Sequence, residues 1–311
     1  MDPPLPMFEP RIVLGNCIDV LSTFPPESVD LIIADPPYNL GKDYGNRTDS
    51  LQRADYLDFT RRWLAAGVRV LKPTGSIYVF MGFRFIAHLY IILEEELKLH
   101  FNNWICWNYT QGMGRVRAFS PRHDDVLFFS KSRSYTFNLD SVRVPQKYYR
   151  GRNNMRGANP GDVWEFSHVH YCQGSRTSHP TQKPEGLIER MVLASSREGE
   201  LVVDPFAGSG TTLRVCQQLH RRATGIELSA KYVSIIAQRL REPFHGFDSI
   251  DPRMKRVPSD LNDRALREQY REHHKAWFLR RHEQEAREFL EEFRRKYPDD
   301  AGPASGPGGK A

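Results

Sequence analysis

The 311 residues hold only four cysteines, Cys17, Cys106, Cys172 and Cys216, and none form a C-x-x-C pair. That excludes a disulfide scaffold and the common zinc and dithiol motifs, and it fits a reducing compartment. No apolar run approaches the roughly 20 residues a membrane helix needs, so no membrane partner is expected. The opening MDPPLPMFEP has neither a basic n-region nor an apolar h-region, and no secretory leader is expected. No internal repeat is visible, which removes the solenoid architectures. Acidic residues are slightly short of basic ones, 38 against 44, and the net charge of +6 permits a polyanionic partner without demanding one.

What is present alternates between two periods. RIVLGN (11–16), VDLIIAD (29–35), SIYVFM (76–81), NNWICWN (102–108), DVLFFSK (125–131), ELVVD (200–204) and ATGIEL (223–228) read as strands. The second is almost continuously apolar, as strands inside parallel sheets are. Tyr56, Phe59, Trp63, Leu64 and Val68 repeat at helical spacing across 55–70. Further helices are expected over 85–97, over 183–195 with Pro184 in the first turn, from the glycine loop to about His220, and from a Ser229 cap to about Leu240. Pro73-Thr-Gly75 reads as a turn. The alternation favours an α/β sheet. From Asp260 to Lys296 Trp277, Phe289, Leu290 and Phe293 mark charged amphipathic helices, read as a packing or partner surface without chemistry. From Pro298 onward the chain is expected to be disordered.

Two strand ends carry chemistry. The first strand end reads IADPPYN (33–39), an apolar run closed by Asp35, Pro36, Pro37, Tyr38 and Asn39. The second reads VVDPFAGSGTT (202–212), where Gly208 and Gly210 permit a tight turn and close backbone approach to a ligand. Glu227 ends the next strand 19 residues after Gly208, where an acid binds ribose hydroxyls. This is a nucleoside-binding βαβ unit. A nicotinamide dinucleotide is disfavoured, because the third glycine is missing and Asp204 would repel a pyrophosphate. A carboxylate suits the ammonium and sulfonium of S-adenosylmethionine, with Phe206 as an aromatic wall. The glycine loop comes late, with two strands left to follow it. The N-terminal half must therefore complete the sheet and bring Asp35 to the same carboxyl edge as Gly208.

Between Arg115 and Arg156 lie ten basic residues, opposed only by Asp124, Asp125 and Asp140. Tyr135, Phe137, Tyr148 and Tyr149 interleave them. Basic charge mixed with aromatics and loop formers suits phosphate contact and base stacking. A solvated basic face is the alternative. His168, His170 and Cys172 alternate as metal ligands can, but no second cluster at ligand spacing accompanies them, and no metal is expected.

DPPYN, RHDDVLFFSK, HPTQKPEGLIERMV, DPFAGSGTT and GIELS, in that order, resemble the β-class amino-methyltransferases of bacterial DNA, in which the catalytic motif precedes the cofactor motif. GDVWEFSHVHY with SHPTQKP looks like the solitary adenine-N6 branch of that class. The resemblance spans roughly 11–242. It implies a circularly permuted, Rossmann-like S-adenosylmethionine-dependent methyltransferase sheet with an inserted target-recognition region and a helical C-terminal extension. The implied organisation is a catalytic half (1–131), the target-recognition region (132–178), a cofactor-binding half (179–244), the charged extension (245–297) and the tail (298–311). Asp35, Pro36, Pro37 and Tyr38 match the catalytic motif. Asp204, Pro205, Phe206, Ala207, Gly208, Ser209, Gly210, Thr211 and Glu227 match the cofactor motifs, joined by Asn16 and Cys17 and by Lys183 at the methionine end. Asn16 departs from the Asp common in the family, though either side chain reaches an adenine edge. Arg122, Arg143, Lys147, Arg150, Arg152 and Arg156 are the expected DNA contacts. The resemblance implies duplex DNA as partner and a bacterial cytoplasm as location; a homodimer and a cognate restriction endonuclease stay open.

The chemistry needs these residue types. An exocyclic amine on adenine or cytosine is a poor nucleophile because its lone pair is delocalised into the ring. Acceptors at both of its hydrogens, the Asp35 carboxylate and the Pro36 carbonyl fixed by prolines, restore that lone pair. The target atom is unreachable inside a duplex, so the base is flipped and Tyr38 stacks on it. No metal or covalent enzyme intermediate is required. Protein-glutamine and RNA amine methyltransferases place a related motif after the glycine loop, so motif order argues against them. A non-catalytic DNA-binding scaffold would be expected to lose Asp35 or the loop, and both are intact. Adenine N6 is the expected target and cytosine N4 the alternative.

Overall fold

A computed structural model describes residues 8–41, 49–109, 114–145, 157–169 and 177–244, together with 246, 283 and 291. Lys147, Arg150, Arg152, Arg156, His170, Cys172, the tail and all but three positions of the 245–297 extension lie outside the described residues. The chain divides into two compact units, Met1–Val144 with Asn159–Val257, and Pro145–Ala158 with Pro258–Ala311. The first unit carries the sheet. Parts of the 132–178 stretch fall in it, since Asn138 donates to the Leu193 and Ser196 carbonyls.

The strands are β1 (Arg11–Leu14), β2 (Val29–Ala34), β3 (Leu71–Met81), β4 (His100–Asn108), β5 (His123–Ser130), β6 (Val163–Glu165), β7 (Leu201–Asp204) and β8 (Arg222–Glu227). Among the described residues they form one sheet in the order β1-β8-β7-β2-β3-β5-β4-β6. The run from β1 to β3 is parallel, and β5 lies antiparallel between β3 and β4. The helices are α1 (Cys17–Ser22), α2 (Arg53–Val70), α3 (Ile86–Ile91), α4 (Leu139–Val142), α5 (Glu185–Ser195), α6 (Thr211–Gln218) and α7 (Ala230–Arg241). No helix among the described residues is long and apolar enough to cross a membrane.

Every residue of β2 is buried, which accounts for its almost continuously apolar sequence. Ile32 and Ala34 pack with Leu21, Trp63 and Leu64 of α1 and α2 on one face. Leu31 and Ile33 pack with Leu187, Met191 and Leu213 of α5 and α6 on the other. Asp30 is the exception in composition, and its two oxygens tie three strands together: one takes Lys72 Nζ at 2.6 Å, the other the Leu201 amide at 2.9 Å.

The neighbours β2 and β7 lead in opposite directions. β7 continues through α6 to β8, and β2 continues through α2 to β3, with the two helices on opposite faces. Their carboxyl ends therefore open a crevice at a topological switch point, where α/β sheets bind ligands. Asp35 and the glycine loop leave the two adjacent strands at that crevice, as the motif order requires.

Local details depart from the pattern. Pro73–Gly75 is absorbed into β3 as a bulge, since partners step from Val29–Leu71 to Leu31–Ser76. The helix expected over 85–97 is α-helical through Ile91 and continues as a π-helical turn, Ile92–Glu96. Pro184 stands at the N-cap of α5 rather than in its first turn. Ser229 occupies the N-cap of α7 without a side-chain capping bond; its amide donates to Glu227 Oε1 at 2.8 Å. The short α1 and three-residue β6 lie below the length at which periodicity is readable.

Candidate active site

At the end of β7 the glycine loop is held from three directions. The Phe206 amide donates to Asp204 Oδ1 at 3.0 Å, the Ala207 amide to the Ile226 carbonyl at 2.9 Å, and the Gly208 amide to Glu227 Oε2 at 2.9 Å. Gly208 and Gly210 both have positive φ, 53° and 77°. A Cβ on Gly208 would lie 3.0 Å from His179 Nε2, and one on Gly210 2.8 Å from Ile236 Cγ2. Conformation and space both require glycine there. Behind the loop, Arg239 donates to the Ser209 carbonyl at 3.1 Å and to Thr211 Oγ1 at 2.9 Å.

At the end of β2 the turn is equally constrained. The Tyr56 hydroxyl donates to the Pro37 carbonyl at 2.7 Å. Asn39 takes a left-handed conformation, φ 55°, which Asn tolerates. Its side chain pairs with both backbone groups of Leu51, while Asp49 accepts the Asn39 and Leu40 amides. Asp35 divides its two oxygens. Oδ2 accepts from Lys183 Nζ at 2.5 Å, and Oδ1 is buried with no hydrogen-bond partner among the described residues. The Lys183 ammonium stands 5.2–5.8 Å from the ring centroids of Phe80, Tyr38 and Trp107, and the Lys183 carbonyl accepts from Thr211 Oγ1.

Between the two turns lies a cavity of about 300 Å³. Of the cofactor positions expected from sequence, Asn16, Cys17, Lys183, Asp204, Pro205, Phe206, Ala207, Gly208, Ser209, Thr211 and Glu227 line it, as do Asp35 and Pro37. Pro36, Tyr38 and Gly210 do not. Tyr56, Phe59, His179 and Tyr232 also line it and were not read from sequence as site residues. Asn16 caps α1, accepting the Ile18 amide at 2.9 Å. Phe206 packs edge-on against Trp63, with ring centroids 5.1 Å apart. His179 is set by the Thr181 amide on its Nδ1 and by the ring of Tyr232. Burial pushes the Cys17 thiol up to about 12, which removes it as a nucleophile.

The cavity is acidic, with Asp35, Asp204 and Glu227 in its wall against Lys183. Burial raises Asp204 to about 7, with the neighbouring Asp35 and Glu227 charges adding to the effect. Burial raises Glu227 as well. A cationic ligand relieves both. Because the folded value of Asp204 lies above its unfolded value of 3.8, the empty fold loses stability as pH rises between them. A cation binds the ionised form, so S-adenosylmethionine affinity should strengthen from about pH 6 to about pH 8, with proton release on binding. Calorimetry in buffers of different ionisation enthalpy measures that release. Asp204→Asn should bind more weakly and with a flatter pH profile; an unchanged profile contradicts the assignment.

The basic residues separate. Arg122 is exposed at the start of β5, whereas the Arg143 side chain is largely buried and bonds Asp140 at 2.6 Å.

Sheet order, glycine loop and acidic floor together define the fold of an S-adenosylmethionine-dependent methyltransferase. The chain belongs to the DNA methylase family, whose model matches residues 29–238, and S-adenosylmethionine is its cofactor. It is 56% identical to the Type II methyltransferase M.HpaI of Haemophilus parainfluenzae over 92% of each chain. It is 33% identical to the DNA adenine methyltransferase YhdJ of Escherichia coli K12, over 82% of this chain and 90% of that one. Among solved structures, the cytosine-N4-specific PvuII DNA methyltransferase shares the fold with a TM-score of 0.62 at 21% identity, over 76% of this chain and 89% of that one.

Proposed function

We propose that the protein transfers a methyl group to the N6 amine of an adenine turned out of duplex DNA. The observation that supports this best is Asp35 Oδ1, a buried acceptor without a partner among the described residues, at the strand end beside the cofactor cavity. Leaving such an atom unsatisfied costs on the order of 1–3 kcal/mol, and an amine hydrogen offsets it. The Pro36 carbonyl is the second acceptor; Tyr56 takes the adjacent Pro37 carbonyl and fixes the turn. With both hydrogens engaged, the amine lone pair leaves the ring and points at the methyl group.

The cofactor supplies an electrophilic methyl on a sulfonium. Asp204 and Glu227 hold its cationic and ribose parts, Phe206 and Asn16 its adenine end, and the glycine loop leaves room for its backbone approach. Tyr38 stacks on the flipped base, its ring beside the Lys183 ammonium that also stands near Phe80 and Trp107. The N–C bond would form as the donor's S–C bond breaks and leaves a neutral thioether, and Asp35 would receive the proton the amine loses. Lys183 holds the carboxylate in place through Oδ2 and leaves Oδ1 for the amine.

Adenine is favoured over cytosine by the 33% identity to a DNA adenine methyltransferase, whereas the cytosine-N4 enzyme is similar in fold only. The Type II relative supports a place in restriction-modification. Duplex DNA methylated by the purified protein and digested to nucleosides should yield N6-methyladenine by mass spectrometry. N4-methylcytosine in its place would overturn the choice of base and leave the amine mechanism standing.

A further inference from the structure

Residues 114–122, the described part of the tip that leads from β4 into β5, carry apolar side chains that the core does not explain. Phe119 is 100% exposed and Val116 102%, and nearby Phe83 is 64% exposed. Phe119 and Val116 are the most exposed large apolar side chains among the described residues, and apolar groups held so fully in water mark a surface for contact. Around them stand Arg84, Arg115, Arg117 and Arg122, with no acidic residue between 114 and 122.

The tip sits beside the catalytic turn. β4 runs parallel to β2 and β3, so its end and the start of β5 lie on the same carboxyl edge as Asp35. The Tyr109 amide donates to the Arg122 carbonyl at 2.9 Å and closes the neck. The Arg115 amide donates to Ser120 Oγ at 3.1 Å, and the Arg115 guanidinium lies 5.8 Å from the Phe83 ring centroid. Phe83 follows Gly82, on which the Tyr38 ring rests: a Cβ there would be 3.4 Å from Tyr38 Cδ2. A continuous path of contacts thus runs from Tyr38 to the hairpin tip.

We propose that this tip is a DNA-contacting surface and that Phe119 enters the base stack at the step from which the target base leaves. The inference rests on the reading of the protein as a base-flipping enzyme. Cations flanking the tip match the phosphates on either side of a groove. An apolar ring inserted between base steps is the wedge that stabilises unstacked DNA. Val116, equally exposed, lies three positions before it in the chain. The same arginines disfavour an acid-poor protein partner or a second copy of this basic chain.

The test uses the full chain and a duplex bearing the methylated sequence, found by sequencing DNA from cells that express the protein. Phe119→Ala should slow single-turnover methylation of the matched duplex by about ten-fold, a loss the size of part of the flipping cost. Placing a mismatch opposite the target lowers that cost in advance, so the variant should recover most of the wild-type rate there. Phe119→Leu should retain most activity on both duplexes. With 2-aminopurine at the target, Phe119→Ala should show reduced fluorescence gain on binding. Arg115→Gln with Arg117→Gln should lower the slope of affinity against salt by close to two units, one for each phosphate contact.

Normal methylation of matched duplex by Phe119→Ala would overturn the proposal, as would an equal loss on matched and mismatched DNA. Conversion of a wild-type dimer to monomer by Phe119→Ala in sedimentation would assign the surface to a second copy and also overturn it. Absence of methylation of any duplex by the wild-type protein would instead sink the underlying function.

Discussion

Asp35→Ala should lower the single-turnover methylation rate by roughly three orders of magnitude, the scale of losing a preorganised acceptor at a reacting centre. S-adenosylmethionine affinity should change little, because Asp204 and Glu227 remain. The substitution removes the buried Oδ1 proposed to accept from the amine and strands the Lys183 ammonium among Phe80, Tyr38 and Trp107. A fold that tolerates this, judged by an unchanged thermal transition, isolates the chemical step. Lost cofactor affinity with a normal rate of transfer would instead place Asp35 on the cofactor. Asp35→Asn separates charge from shape, since the amide keeps one acceptor but bears two hydrogens that compete with the amine.

The second large effect lies behind the glycine loop. Glu185 is buried between two guanidiniums, 3.1 Å from Arg214 Nε and 2.7 Å from Arg239 Nη2. This cluster joins α5, α6 and α7, and Arg239 also holds the Ser209 carbonyl and Thr211 hydroxyl of the loop. Arg239→Leu removes one side of a buried charge cluster, and such losses cost about 3–5 kcal/mol. The leucine fills volume without replacing the donors, so the loop loses its backing at the same time. Both a lower denaturation midpoint and weaker cofactor binding are expected. Stability within about 0.5 kcal/mol of wild type, the range of an inconsequential surface change, would show that Arg239 supports neither.

The parts legible in the sequence are those that backbone and local pattern control. A buried strand ending in DPPY, a strand running into GSG and an acid 19 residues on can each be read without knowing their neighbours. Their convergence at one edge followed from the late position of the glycine loop, which left the sheet to be finished by the N-terminal half. The supports were not legible, because they come from side chains brought together across the chain. Tyr56 on Pro37, His179 against Gly208 and Arg239 on Ser209 carry no local signature. Lys183 was expected at the methionine end; it lines the cofactor cavity and also reaches Asp35, 148 residues away in sequence. Glu227, read as a ribose ligand, also accepts the Gly208 and Ser229 amides, so it shapes the loop as well as facing the cavity. Asn39 did carry a signal: an Asn after a rigid turn is suited to a positive φ, and it adopts one.

The central claim is that methyl donor and target amine meet directly above Asp35, with no methylated enzyme between them. Burial removes Cys17 as a nucleophile in that cavity. The stereochemical course of transfer tests the claim most directly. S-adenosylmethionine carrying a methyl group made chiral with hydrogen isotopes would be turned over on duplex DNA, and the configuration of the methyl on the product base determined. A single in-line displacement gives inversion. Retention would require two successive transfers through a group on the protein, and would contradict direct transfer to an amine held by Asp35 and Pro36.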